Sequence, residues 1–275
     1  MEKINITGVP ETMLQTFYAR AKESEKPNHK LYDAKAVEIV KRLDYDFSKA
    51  DKDALMSTGV IARTILLDDM VGKYVKLHPN ATVVNIACGL DTRFYRVDNG
   101  KIRWYNLDLP ETIAVRKRFM DENGRVSMIA CSAMDKSWAD EIQATNEDVL
   151  VIVEGLSMYL SEKDVKQILS IIDAKFPKVT VYMEIMSPMV VGKVEEKSIK
   201  ASKAKFTWGA KSGQKLEELV PAFKYQNDRS LVEVMEEIYP IYKIIGKIPF
   251  IRNLSNKISV LEKEIEKSGN INNFN

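Results

Sequence analysis

Three acids and a glycine turn carry the chemistry that this sequence offers. In "VVNIACGLDTR", residues 83–93, a run of apolar and β-branched residues ends in Ala87, Cys88 and Gly89, followed by Asp91 and Arg93. Small residues let backbone amides approach a ligand closely, and Gly89 adopts a positive φ without a Cβ penalty. About 20 residues further on, "WYNLDLP" ends a second apolar run in Asp108, the spacing at which a carboxylate receives ribose hydroxyls. Glu154 closes the run "VLVIVEG", where a carboxylate is costly unless it meets a cation, backbone amides or water. Together these residues point to a nucleoside.

Charge decides which nucleoside. A pyrophosphate asks for G-x-G-x-x-G at a helix N-terminus, but this loop reads A-C-G-L-D-T and sets a carboxylate where phosphate oxygens would sit. That counts against a nicotinamide dinucleotide. S-adenosylmethionine has no phosphate; it brings a ribose diol, an adenine, a sulfonium, an ammonium and a carboxylate, so acids near the loop suit it. Arg63 or Arg93 would hold its carboxylate.

These residues need a frame that gathers strand ends. The runs "ATVVNIA", "IRWYNL", "VSMIA", "VLVIVEG" and "VTVYMEI" are apolar on both parities, as strands buried on two faces must be, and helical segments alternate with them. The expected fold is α/β, a doubly wound and mostly parallel sheet with ligands beyond the carboxyl ends of its strands. Residues 1–80 read as an N-terminal helical layer, broken by Pro27 and by "DYDFSKADKD", and residues 81–188 as the ligand-binding α/β core. In "YLSEKDVKQILSIIDAKF", Ser161 and Asp164 have the spacing of a capping box ahead of Val165, Ile168, Leu169 and Ile172. Residues 189–221, charged with scattered apolar anchors, read as an inserted helical cap. Residues 222–275 read as the end of the core sheet followed by one amphipathic helix and a polar end. One compact domain accommodates all of this.

Composition excludes several partners. The 41 basic and 39 acidic side chains nearly cancel, which argues against nucleic acid. Cys88 and Cys131, without CxxC spacing, and His29 and His78 assemble neither a disulfide framework nor a metal site, so no metal is expected. No apolar run approaches membrane-spanning length, and "MEKINITGVPETML" lacks a signal peptide's apolar core; the expected setting is cytoplasmic, away from the membrane.

The segments "ARTILLDD", "NIACGLDTRFYRV", "WYNLDLPETI", "ACSAMDKSW" and "EGLSMYLSE" resemble, in order and spacing, the leucine carboxyl methyltransferase family, including its bacterial branch related to polyketide O-methyltransferases. The resemblance spans roughly residues 15–250. It implies a seven-stranded class I methyltransferase sheet with an antiparallel last strand, S-adenosylmethionine as cofactor, and a small-molecule acceptor methylated on a carboxylate or hydroxyl. It also implies roles: Arg63 pairs with the methionine carboxylate, Ala87 and Gly89 lie under the methionine portion, and Asp108 with Leu109 meets the ribose. The turn from Ser132 through Ala133 to Asp135 edges the adenine, and Glu154 with Gly155 closes the site near the amino group. Two positions depart from the family pattern, which usually has glycine at Ala87 and aspartate at Ser132. Alanine is a mild change if its φ is ordinary, and serine retains hydrogen bonding without the charge.

Each residue also has a plainer reading. Asp108 would cap the helix starting near Glu111, Arg63 would pair with Asp68 or Asp69, and Asp91, Thr92 and Arg93 would close a local turn. Cys88 and Cys131 are small buried hydrophobes, and Met158 and Tyr159 pack a strand end as readily as they line a pocket. No catalytic base is evident; His29 stands in a loop, and Arg20, Lys26, Lys30 and Tyr32 are the nearby candidates to meet an acceptor. The N-terminal layer and the 189–221 segment would select it. Alternatives are a non-catalytic nucleoside-binding or scaffold protein, motivated by Ala87 and Ser132, and a methyltransferase of protein C-terminal carboxyl groups.

Overall fold

The structure is a computed structural model that describes residues 2–3, 9–48, 54–121, 124–144, 148–192 and 205–264. The central sheet has seven strands: β1 (Thr82–Ile86), β2 (Arg103–Asp108), β3 (Val126–Ala130), β4 (Val149–Val153), β5 (Val179–Ile185), β6 (Lys224–Ser230) and β7 (Lys257–Lys263). Their spatial order is β3-β2-β1-β4-β5-β7-β6. The first five pair in parallel, and β7 runs antiparallel to both β5 and β6. Chain order reverses between β1 and β4, so their loops leave in opposite directions and open a crevice at their carboxyl ends.

β1 and β4 are buried at every position, as strands covered on both faces must be. Alternate residues serve alternate layers. Val84, Ile86, Val151 and Val153 pack with α7 (Glu162–Lys175) through Val165, Ile168, Leu169 and Ile172. Val83, Leu150 and Ile152 pack with α3 (Ala54–Leu77) through Leu66, Leu67 and Val71. The capping box expected for α7 is present: Asp164 N donates to Ser161 Oγ and Ser161 N to Asp164 Oδ2.

The N-terminal layer is helical: α1 (Val9–Ser24), α2 (Ala34–Val40) and α3, with α1 packed on both α2 and α3. Between strands lie α4 (Phe94–Val97), α5 (Pro110–Phe119) and α6 (Ser137–Glu141), and between β6 and β7 lie α9 (Leu231–Ile238), α10 (Tyr242–Ile245) and α11 (Pro249–Leu254). No helix among the described residues is long and apolar enough to cross a membrane.

One expectation about elements needs correction, and another falls partly outside the described residues. The inserted helical cap expected at 189–221 falls in part, at residues 193–204, outside those described; the described remainder holds one short helix, α8 (Gln214–Leu219). Its residues 205–210 form an extended strap, with Thr207 N donating to the Met158 carbonyl and Ala210 N to that of Met186, and with Phe206, Trp208 and Ala210 buried. The tail helix expected after residue 250 is in part strand β7. Ile258 and Val260 enter one apolar layer and Leu261 the other, so the segment is buried on both faces.

Candidate active site

A cavity of about 400 Å³ opens at the carboxyl ends of β1, β2, β4 and β5. Of the predicted site residues, Arg63, Ala87, Gly89, Asp91, Asp108, Leu109, Ser132, Ala133, Glu154 and Gly155 line it, and Asp135 does not. The Asp135 carboxylate accepts from Ser137 N at 2.9 Å and holds the start of α6. Met158, Tyr159 and Arg20 line the cavity, whereas His29, Lys26, Lys30 and Tyr32 lie outside it.

The loop after β1 is built from left-handed backbone. Ala87 has φ +54° and Gly89 φ +50°, so the alanine does not have the ordinary φ that would make it a mild change. A Cβ at Gly89 would come 2.9 Å from Met13 Cγ of α1, which covers this turn. Asp108 ties β2 to the same loop: its Oδ2 accepts from Gly89 N at 2.7 Å and its Oδ1 from Leu109 N at 2.7 Å. The carboxylate also accepts a side-chain hydrogen bond from Thr112; its two oxygens together have about four acceptor sites and so retain capacity for a ligand hydroxyl. Burial raises its pKa, against the backbone hydrogen bonds that lower it. At the neighbouring strand end, Ser132 Oγ accepts from Met134 N at 3.2 Å, so the hydroxyl shapes the turn where an aspartate was expected.

Behind the loop lies a buried ionic network. Arg93, 1% exposed, pairs with Asp68 at 2.8 Å, Asp91 at 2.8 Å and Glu154 at 2.8 Å. Asp91 also accepts from Arg93 N and from Asn85 Nδ2, so it closes a local turn as well as facing the cavity. Arg63 pairs with Glu154 at 2.7 Å and Glu184 at 3.0 Å, while Asp68 takes Arg93 and Arg96, and Asp69 takes Lys73. Arg20 and Arg96 converge on Asp33. Burial alone would raise Asp91 and Glu154; the guanidinium groups of Arg93 with Arg96, and of Arg93 with Arg63, hold them below the usual carboxylate range.

Glu184 was not anticipated. It stands next to last in the apolar run of β5 as Glu154 follows that of β4, so the same argument about a carboxylate at an apolar strand end, applied to "VTVYMEI", finds it. Its side chain is fully buried and accepts from Gly155 N, Arg63 and Asn256. Asn85 and Gln15, also in the lining, gave no such signal, because a single amide in an apolar pattern reads as tolerated core.

The lining therefore sets four carboxylates, Asp91, Asp108, Glu154 and Glu184, against two guanidinium groups, Arg20 and Arg63, both committed to acids. Such a site favours a ligand with a net positive charge and ribose hydroxyls, and disfavours a pyrophosphate. S-adenosylmethionine, with two cationic centres and one carboxylate, fits this donor and acceptor set. Fold and site together define a class I S-adenosylmethionine-dependent methyltransferase. Among solved structures, a DUF574 family protein from Streptomyces avermitilis shares the fold with TM-score 0.59 at 13% identity, covering 90% of this chain and 97% of that one. A SAM-dependent methyltransferase from Anabaena variabilis gives TM-score 0.50 at 11% identity, covering 74% and 85%.

Sequence comparison names the family. The leucine carboxyl methyltransferase profile matches residues 13–173. The chain is 33% identical over 252 residues to the tetracenomycin polyketide synthesis O-methyltransferase TcmP of Streptomyces glaucescens, covering 89% of this chain and 92% of that protein. It is 30% identical over 247 residues to the S-adenosyl-L-methionine-dependent methyltransferase dpfgK of Gibberella zeae, covering 82% and 83%. The chain belongs to the leucine carboxyl methyltransferase family and is an S-adenosylmethionine-dependent O-methyltransferase.

Proposed function

We propose that the acceptor is a small molecule with an apolar body and an oxygen that is anionic, or readily made so, at neutral pH. One observation carries this reading: the cavity lining includes Met56 and an apolar cluster of Met158, Tyr159, Met186 and Phe206, and no histidine or lysine stands among its described lining residues. Methionine fills irregular space and adapts to flat or flexible apolar groups. A carboxylate, or an acidic phenol or enol, attacks without a protein base to take its proton.

Bound S-adenosylmethionine supplies a methyl carbon already activated by the adjacent sulfonium. In this reading Asp108 holds the ribose diol, the Ser132–Met134 turn edges the adenine, and Arg63 with Glu154 and Glu184 orders the methionine end. The apolar wall excludes water and presents the acceptor oxygen, so positioning supplies much of the acceleration. TcmP's name, through polyketide synthesis, supports a small-molecule acceptor. The two free cysteines and the absence of a membrane-crossing helix among the described residues fit a cytoplasmic setting.

The test is incubation with S-adenosylmethionine and a panel of aromatic and aliphatic carboxylates, phenols and enols, read by mass spectrometry. A methyl ester or ether from at least one hydrophobic acceptor is the expected outcome. Cofactor binding with no product across the panel would overturn the proposed acceptor class.

A further inference from the structure

Gln15 is 2% exposed, and neither its Nε2 nor its Oε1 has a hydrogen-bond partner. Among the described residues, the other buried side-chain polar atom without one is Arg63 Nε, which lies 2.7 Å from Glu154 Oε1 without forming a hydrogen bond to it. Both residues line the same cavity. A buried carboxamide with all of its hydrogen bonds unmade destabilises the fold, and an apolar residue of similar size would pack there without that cost. Nothing in the protein itself accounts for the amide.

We infer that the Gln15 carboxamide recognises the α-amino-carboxylate end of S-adenosylmethionine, with Nε2 donating to the carboxylate and Oε1 accepting from the ammonium. The inference rests on the cofactor assignment and extends it to a residue of the N-terminal layer. Position supports it. On α1, Met13 covers Gly89 and Arg20 donates to the Leu90 carbonyl, so the helix lies over the loop after β1. The same helix packs on α3, which carries Arg63. A Cβ at Gly155 would lie 3.4 Å from Arg63 Nη1, which places Arg63 at the β4 side of the crevice. Gln15 thus belongs to a helix that spans the loop after β1 and the helix carrying Arg63, and it lines the cavity with both. Chemistry supports it too. A carboxamide presents one donor group and one acceptor, and an ammonium beside a carboxylate is their complement.

The experiment compares two ligands by calorimetric titration. S-adenosylhomocysteine carries the amino-acid end; 5′-methylthioadenosine keeps the adenine, ribose and sulfur but lacks it. Gln15→Met is expected to weaken S-adenosylhomocysteine binding about ten- to a hundredfold, the range for a hydrogen bond to a charged group, and to leave 5′-methylthioadenosine binding unchanged. The melting temperature of the ligand-free variant should match or exceed that of wild type. Gln15→Asn keeps the amide but loses reach; it should show the same selective loss, and it carries the comparison if the methionine variant does not fold. Equal effects on both ligands, or none on either, overturn the inference. So does unchanged S-adenosylhomocysteine affinity with a raised KM for an acceptor, which would assign Gln15 to the acceptor. If wild type binds neither ligand, the cofactor assignment itself falls.

Discussion

Ala87 occupies a backbone conformation that suits glycine, and that sets the energetics of the loop after β1. A left-handed φ of +54° costs an alanine about 1 kcal/mol relative to glycine. Ala87→Gly is accordingly expected to raise unfolding stability by about 1 kcal/mol, read as a higher urea midpoint at unchanged m-value. An unchanged or lower midpoint would show that the loop relaxes to another φ. At this scale much of the site was legible. Asp108, Gly89 and Glu154 announced themselves as a glycine turn and as acids ending apolar runs. The partners of Arg63 were not legible, because Glu154 and Glu184 lie 91 and 121 positions away and only the sheet brings them together, as it brings Arg93 to the same Glu154.

At the scale of elements, strand identity followed from burial on both faces, and the errors came where that signal was diluted. In "NKISVLEKEIEK" flanking charges and Ile258 to Leu261 at spacing three imitate a helix, yet Ser259 is buried between Ile258 and Val260 as β7 pairs with β5 and β6. The strap at 205–210 was read as part of a cap because lysines surround its anchors, but the anchors are core. A Cβ on Gly209 would sit 2.6 Å from the Met186 carbonyl oxygen, so the strap lies directly on the end of β5. Trp208→Ala is expected to cost about 3–5 kcal/mol, the range for deleting a large buried side chain, and to lower the melting temperature. A loss under about 1 kcal/mol would show that the strap is not part of the core.

For the whole molecule, stability and function draw on one buried set of charges. Asp33, Asp91 and Glu154 have folded pKa values held below their unfolded ones; burial opposes this, but neighbouring arginines prevail. Their contribution is fully present above about pH 4 and is lost as pH falls through the folded values. Asp108 acts oppositely: burial raises its pKa, so its ionised form costs stability at neutral pH and protonation relieves that cost as pH falls. The three lowered groups are expected to outweigh the raised one, giving a urea midpoint that is flat from about pH 5 to 8 and drops below about pH 4. A midpoint that rises on acidification would mean that the network is a net liability. The central claim, that the loop after β1 and the end of β2 hold S-adenosylmethionine, is tested most directly by titrating S-adenosylhomocysteine into wild type and Asp108→Ala, with NAD as control. The account predicts binding by wild type in the micromolar range, at least tenfold weaker binding by the variant, and none of NAD; equal binding by both proteins, or tight binding of NAD, would contradict it.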